Sequence, residues 1–149
     1  MIAGGLAVVA HGFLRFTADV DVFLALDEEN LRRALPALSG LGYRPRAPVS
    51  IEEFADPAKR ASWVREKGMR VFSLFRSEHP ATEVDIFVEP PFDFETARAA
   101  ALRQELSPGV EASFVGLDDL LRMKRVAGRP KDLQDIRELE SLRRDLEHG

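Results

Sequence analysis

The chain has 149 residues, a net charge of -4 and no cysteine, with 45% hydrophobic and 31% charged residues. A chain of this length usually folds around one core, so we expect one domain spanning residues 1–149. The absence of cysteine excludes a disulfide framework and a cysteine nucleophile and favours a cytoplasmic protein. The negative charge argues against a general nucleic-acid binder, whose affinity needs a broad positive surface.

The apolar run at 2–13 lacks a basic leader and is shorter than the roughly 20 residues of a membrane span, so we expect neither signal peptide nor membrane anchor. Within it, residues 1–3 are interpreted as the remnant of a strand, Gly4 and Gly5 as a tight turn, and 6–14 as a short helix. So short a first strand implies either that the natural chain begins upstream or that this strand is weak.

Strands and helices then alternate along the chain. The predicted elements up to residue 67 are a strand at 19–26, a helix from Asp27 to Gly40, a short strand at 43–46 and a helix at 58–67. Pro45, Pro48 and Pro57 predict an irregular loop at 45–58, whose length is typical of a lid.

The second half of the chain continues this alternation. We predict paired strands at 70–75 and 82–88, a helix at 94–106, an edge strand at 110–115, and two C-terminal helices that meet at 128–130. The expected fold is α/β (α+β): a small mixed sheet with the two acidic strands at its centre, flanking helices mainly on one face, and a helical C-terminal cap.

Asp19 and Asp21 are the first candidate ligands. Alternate residues of a strand share a face, so the two carboxylates point the same way, with Cα atoms about 6.5 to 7 Å apart. Val20 and Val22 then face the core. Paired carboxylates suit Mg²⁺, which prefers oxygen ligands and keeps positions open for phosphate. Alone, such a pair is more often the wet face of a strand.

The strand at 82–88 repeats the pattern, with Glu83, Asp85 and Phe87 on one face and Val84 and Ile86 on the other. If this strand neighbours the first, Asp85 joins the pair. Three carboxylates brought together without a cation repel one another, so their convergence would indicate a bound metal.

The glycine turn and the residues after the first helix supply candidate phosphate contacts. Gly4 and Gly5 have no side chains, which lets a phosphate approach backbone N–H groups, although a plain tight turn explains them equally well. Arg15 and Thr17 place a guanidinium and a hydroxyl before the acidic strand. Arg15 either binds a phosphate or pairs with Asp19.

His11 lies among apolar helix positions, and we interpret it as a capping or core residue rather than a base. A basic cluster follows near the C-terminus, with no acidic residue inside it: Arg122, Lys124, Arg125, Arg129 and Lys131. This cluster either contacts a triphosphate or an RNA end, or forms a solvated helix face.

These residues together resemble a known signature. The run Gly4-Gly5-Leu6-Ala7, followed by His11, Gly12, Arg15, Thr17, Asp19 and Asp21, is similar to the glycine turn and Asp-x-Asp motif of the polymerase-β-like nucleotidyltransferase superfamily. It is most similar to the minimal, AbiEii-toxin-related bacterial branch. Many superfamily members have Gly-Ser where this chain has Gly4-Gly5, so backbone N–H groups must replace the serine hydroxyl.

The resemblance implies a nucleotidyltransferase fold with a defined site. The glycine turn would cradle a nucleoside triphosphate, Asp19 and Asp21 would bind two Mg²⁺ ions, which Mn²⁺ can replace, and Asp85 would complete the site. The C-terminal stretch also resembles this branch, and there Lys124, Lys131 and Asp135 would assist nucleotide binding or transfer.

We therefore expect a metal-dependent nucleotidyltransferase that moves a nucleoside monophosphate from a triphosphate to an acceptor hydroxyl on tRNA or another RNA, a protein or a small molecule. The alternative is a non-catalytic protein of the same fold that binds or regulates a cognate partner in a toxin–antitoxin type pair. A third, weaker hypothesis is a carboxylate-metal hydrolase acting on phosphodiesters.

Overall fold

The computed structural model describes all 149 residues, which fall into two compact units. Residues 18–90 form the second unit, and this segment is inserted between the two parts of the first unit, 1–17 and 91–149. The content is mixed, with six α-helices and short strands, as the sequence predicts. That residues 1–149 form a single domain stays a prediction.

Along the chain the elements are α1 (Gly4–Ala10), β1 (Val20–Val22), α2 (Glu28–Gly40), β2 (Arg44–Pro45), a 3-10 helix (Ile51–Ala55), α3 (Pro57–Lys67), β3 (Val71–Phe75), β4 (Val84–Phe87), α4 (Phe94–Ala99), β5 (Leu102–Ser107), β6 (Val110–Phe114), α5 (Leu117–Ala127) and α6 (Pro130–His148). None of these helices combines the length and the apolar composition that a membrane-spanning segment needs.

The second unit is built on a four-stranded sheet in the order β1-β4-β3-β2. β1 is parallel to β4, and the other two pairs are antiparallel, so the sheet is mixed as predicted. Only one of the two acidic strands is central, however. β4 has neighbours on both sides, whereas β1 pairs with β4 alone and forms an edge, which corrects the expectation that both lie at the centre.

Helices cover one face of this sheet. α2 contributes Leu31 and Leu35 to the core, and α3 contributes Trp63, which stacks on Phe72 of β3 with ring centroids 5.4 Å apart. α2 starts where predicted, because the Asp27 side chain caps it by accepting a hydrogen bond from the Asn30 N–H at 2.9 Å. The opposite face of the sheet carries the acidic residues.

The segment predicted as an irregular loop and lid is anchored instead. It contains the 3-10 helix at Ile51–Ala55, whose Ile51 and Phe54 side chains are buried in the core of the second unit. Two large apolar side chains buried in this way hold the segment down, because lifting it would expose them to water. The lid interpretation was therefore wrong.

The first unit contains a β-hairpin that the sequence did not predict. We expected a helix at 94–106, but α4 ends at Ala99 and β5 pairs with β6 in antiparallel register. Pro108 and Gly109, with Gly109 at φ 76°, form the two-residue connection. Ile2 bridges in parallel to Phe114 of β6, so the predicted first strand survives as this single pairing.

Both ends of α1 differ from the prediction, since the helix begins at Gly4 rather than Leu6 and ends at Ala10 rather than Leu14. Gly4 itself has φ 59°, a left-handed conformation that favours glycine. The break between α5 and α6 is as predicted. Gly128 closes α5 at φ 61°, and Pro130 opens α6, where its missing N–H costs nothing.

Candidate metal site and charged network

The acidic residues of the second unit lie on the face of the sheet opposite its core. Asp21 of β1 is directly opposite Asp85 of β4 in parallel register. Neighbouring strands are about 4.8 Å apart, so the two side chains emerge next to each other. Val20 and Val22 pack against the core instead, as predicted. Asp19 precedes β1 by one residue and is exposed.

One oxygen of Asp85 is without a partner. Its Oδ1 atom is buried and accepts no hydrogen bond. A buried carboxylate oxygen left unsatisfied in this way is costly, and native structures usually meet the need with a donor, a water or an ion. The Asp21–Asp85 pair therefore offers ligands of the type that Mg²⁺ and Mn²⁺ prefer, and one oxygen of Asp85 is available to a cation.

The predicted convergence of three carboxylates is not seen. The structure contains no group of three or more His, Asp or Glu side chains placed to hold a metal ion together. Strand register brings Asp21 and Asp85 together, whereas Asp19 lies outside the strand. A role for Asp19 as a third ligand stays a prediction.

Other side chains complete this face. Arg46 donates from Nε to Oε1 of Glu83 at 2.6 Å, so that carboxylate is already paired. Phe23 and Phe87 stack face to face, with centroids 4.1 Å apart and planes 14° apart, and lie two residues after Asp21 and Asp85. These rings form an apolar patch beside the carboxylate pair.

Gly4 and Gly5 lie in the first unit, at the start of α1, and Gly5 packs closely against Thr17. A Cβ added to Gly5 would lie 2.3 Å from Oγ1 of Thr17 and 3.2 Å from Nη1 of Arg15. The missing side chain of Gly5 therefore makes room for Thr17. Gly4 and Gly5 form the start of α1 rather than a separate tight turn, and their contact with a phosphate stays a prediction. α1, with seven residues, is also too short to present a strong helix dipole.

Arg15 forms a bidentate ion pair with Asp135 of α6. Its Nε and Nη2 atoms donate to the two carboxylate oxygens at 2.7 and 2.9 Å, and Nη1 donates to the Phe16 carbonyl at 3.0 Å. The guanidinium of Arg15 therefore binds Asp135, and not Asp19, which was one of its two predicted partners besides a phosphate. Fork-to-fork pairs of this kind fix geometry as well as charge.

Lys124 extends the pair into a network, hereafter the charged network, of Arg15, Lys124, Arg129, Asp132 and Asp135. Lys124 is 5% exposed, and its Nζ lies 2.9 Å from Oδ1 of Asp132 and 2.8 Å from Oδ2 of Asp135. Arg129 reaches Asp132 at 2.7 Å. Both carboxylates are buried, and each contacts two cations.

The charged network shifts the titration of Asp132. Burial by itself raises the pKa of this carboxyl, but hydrogen bonds from Arg129 and Lys124 outweigh burial and hold the pKa at about 2, below the usual 3.8. The carboxylate is therefore ionised at any pH at which the protein is expected to work.

The other arginines of the basic cluster also contact carboxylates, but at the protein surface. Arg122 contacts Asp119 at 3.0 Å, Arg125 contacts Glu140 at 2.6 Å, and Lys131 is exposed. Arg122, Arg125, Arg129 and Lys131 all have exposed side chains, as the solvated-face interpretation describes, and only Lys124 is buried. His11 binds the Val115 carbonyl through Nε2 at 2.8 Å, as expected for a structural histidine.

Sequence analysis assigned no role to two residues that lie in these charged clusters. Asp132 belongs to the C-terminal stretch that resembles the nucleotidyltransferase branch, but no role was predicted for it, although its spacing from Asp135 places both on one side of α6. Arg46 gave no signal at all, because it reaches the acidic face only through the pairing of β2 with β3. No protein-family model matches the chain, and no curated protein sequence matches it.

Proposed function

We propose that this chain is a metal-dependent nucleotidyltransferase, with the corresponding fold, whose second unit holds Mg²⁺ or Mn²⁺ through Asp21 and Asp85 with help from Asp19. The observation that carries the proposal is the unpartnered, buried Oδ1 of Asp85 beside Asp21 in strand register. A divalent cation would supply the partner this oxygen lacks and would offset the repulsion between the two carboxylates.

The substrate that fits this donor set is a nucleoside triphosphate. Bound Mg²⁺ would neutralise phosphate charge and lower the pKa of the attacking hydroxyl. In the transfer, the acceptor hydroxyl gives up its proton to solvent and its oxygen bonds to the α-phosphorus. The bond between the α-phosphorus and the oxygen that bridges it to the β-phosphorus breaks, and pyrophosphate leaves. The acceptor is a hydroxyl of tRNA, another RNA, a protein or a small molecule.

Calorimetric titration with a non-hydrolysable triphosphate, with and without Mn²⁺, tests the proposal. Wild type is expected to need the metal, and Asp21→Asn and Asp85→Asn are each expected to weaken binding about 100-fold. Asp27→Asn is the matched control: it removes a carboxylate from the same unit, yet asparagine caps α2 equally well. Equal binding with and without metal in wild type and both variants would refute the metal site.

Activity is measured separately, by transfer of α-phosphate label from each nucleoside triphosphate to bulk tRNA and to total protein. Label that appears with wild type and Asp27→Asn, but not with Asp85→Asn, supports transfer at this site. The acceptor that becomes labelled identifies the substrate class.

A non-catalytic protein that binds a cognate partner, of the toxin–antitoxin kind, is the second candidate. The observation in its favour is that Arg15 and Lys124, two cations expected to meet a phosphate, are both engaged by Asp135. On this hypothesis the titration shows no triphosphate binding with any metal, and Asp85→Asn behaves like wild type.

A further inference from the structure

A row of four polar residues crosses the sheet of the second unit. Asp21 of β1 is opposite Asp85 of β4, and Asp85 is opposite Ser73 of β3. Arg46, one residue beyond β2, continues the pairing by donating its N–H to the Ser73 carbonyl at 3.0 Å. Residues that are opposite one another in a sheet share a face, so two carboxylates, a hydroxyl and a guanidinium lie side by side.

Arg46 is held in a defined orientation on this face. Glu83 accepts a hydrogen bond from its Nε at 2.6 Å and also contacts Nη2, while the guanidinium carbon lies 4.9 Å from the centre of the Phe75 ring. The side chain is nonetheless 51% exposed. An arginine fixed along one edge keeps the N–H donors of Nη1 for another acceptor.

Arg46 also interacts electrostatically with Asp85 of the Asp21–Asp85 pair. The hydrogen bond to Glu83 raises the pKa of Arg46 above its ordinary value, and the nearby charge of Asp85 adds to that rise. Arg46 is thus a permanent cation within electrostatic range of Asp85. Glu83 is its direct partner, and Asp85 attracts it in addition.

We infer that Arg46, with Ser73 beside it, is a phosphate subsite that takes the polyphosphate tail of the nucleoside triphosphate next to the Asp21–Asp85 pair. The inference rests on the proposed function, because a metal on that pair is what brings the phosphates to this face. The triphosphate needs a cation to bind its phosphates, and Arg15 and Lys124 of the charged network are already bound to carboxylates. The second unit carries a phosphate-binding cation of its own.

The geometry predicts opposite effects on two ligands. Removing the Arg46 charge takes a donor away from phosphate, which weakens polyphosphate binding. The same change removes a like charge from the neighbourhood of a divalent cation, which strengthens metal binding. A residue that only supported the sheet would weaken both.

The experiment titrates inorganic tripolyphosphate, in the presence and absence of Mn²⁺, and Mn²⁺ alone into wild type, Arg46→Ala and Arg46→Lys. Arg65→Ala is the matched control, since this exposed arginine lies on α3, which packs on the opposite face of the sheet. We expect Arg46→Ala to bind tripolyphosphate at least about tenfold more weakly and Mn²⁺ severalfold more tightly. Arg46→Lys should recover the Mn²⁺ affinity of wild type and part of the tripolyphosphate affinity, because lysine keeps the charge but not the fork.

Glu83→Gln separates direct from indirect action. If Arg46 acted only by holding Glu83, this variant would lose tripolyphosphate affinity as Arg46→Ala does. We expect unchanged or tighter binding instead, since the change releases the guanidinium. Thermal melts of each variant check that the fold is kept.

The remaining outcomes are decisive. Tripolyphosphate affinity that is equal in Arg46→Ala and Arg65→Ala overturns the inference, and so does a wild type that binds no tripolyphosphate with Mn²⁺ present. Binding that depends on Arg46 but neither needs Mn²⁺ nor weakens in Asp85→Asn would leave the phosphate subsite standing and remove the metal site.

Discussion

The two units each gather carboxylates and cations, but they satisfy them differently. In the charged network of the first unit, both buried carboxylates contact two cations, and Lys124 lies between them. On the acidic face of the second unit, a buried oxygen of Asp85 has no partner although Arg46 is near. A cluster in which every buried charge has a partner is accounted for by its contribution to the fold. A buried polar atom without a partner indicates that a ligand binds there.

Breaking the charged network should give the largest effect. Lys124→Met keeps the length of the side chain but leaves Asp132 and Asp135 short of a cation, and removing one partner of a buried pair costs about 3 to 5 kcal/mol. Urea denaturation measures this loss as a lower midpoint. Lys131→Met, the same change at an exposed position of α6, is expected to cost less than about 0.5 kcal/mol. Equal losses in the two variants would mean that the charged network contributes no more to the free energy of unfolding than an exposed lysine does.

Acid should weaken the first unit through Asp132. The folded pKa of about 2 lies below the ordinary 3.8, so the stabilisation is fully present above about pH 4 and is lost as the pH falls towards 2. The contribution of this group is about 2 kcal/mol. Urea midpoints measured from pH 5 to pH 2 should fall more steeply for wild type than for Asp132→Asn. Parallel curves would contradict the depressed pKa.

The smallest effect on stability is expected on the acidic face. In metal-free protein, Asp85→Asn should change the free energy of unfolding by less than about 1 kcal/mol, because Oδ1 of Asp85 loses no hydrogen bond. Asp135→Asn is the matched substitution in the charged network, where it weakens contacts with Arg15 and Lys124 and should be far more destabilising. A large loss in Asp85→Asn would show that Asp85 is structural, and the contrast between the units would disappear.

Local patterns in the sequence were enough for several elements. α2 carries its own capping aspartate and a regular apolar stripe, and the Gly128 and Pro130 positions fix the break between α5 and α6 whatever surrounds them. Alternation in β4 likewise separated Asp85 from the core residues Val84 and Ile86. Strand period also placed Asp21 on the face opposite the core. Each strand by itself therefore predicted one member of the candidate metal-binding pair, but not that the two would be neighbours.

What the sequence by itself determined is therefore the capped and periodic part of this protein: the start of α2, the break between α5 and α6, and the polar face of β1 and β4. Tertiary structure decided the rest. β5 is a strand despite its helix-forming residues, because pairing with β6 outweighs intrinsic propensities of less than about 1 kcal/mol per residue. Contacts between residues far apart in the chain joined Lys124 to Asp132 and Asp135, and Arg46 to the acidic face. Pairing of this kind depends on packing and strand register, which no local pattern encodes.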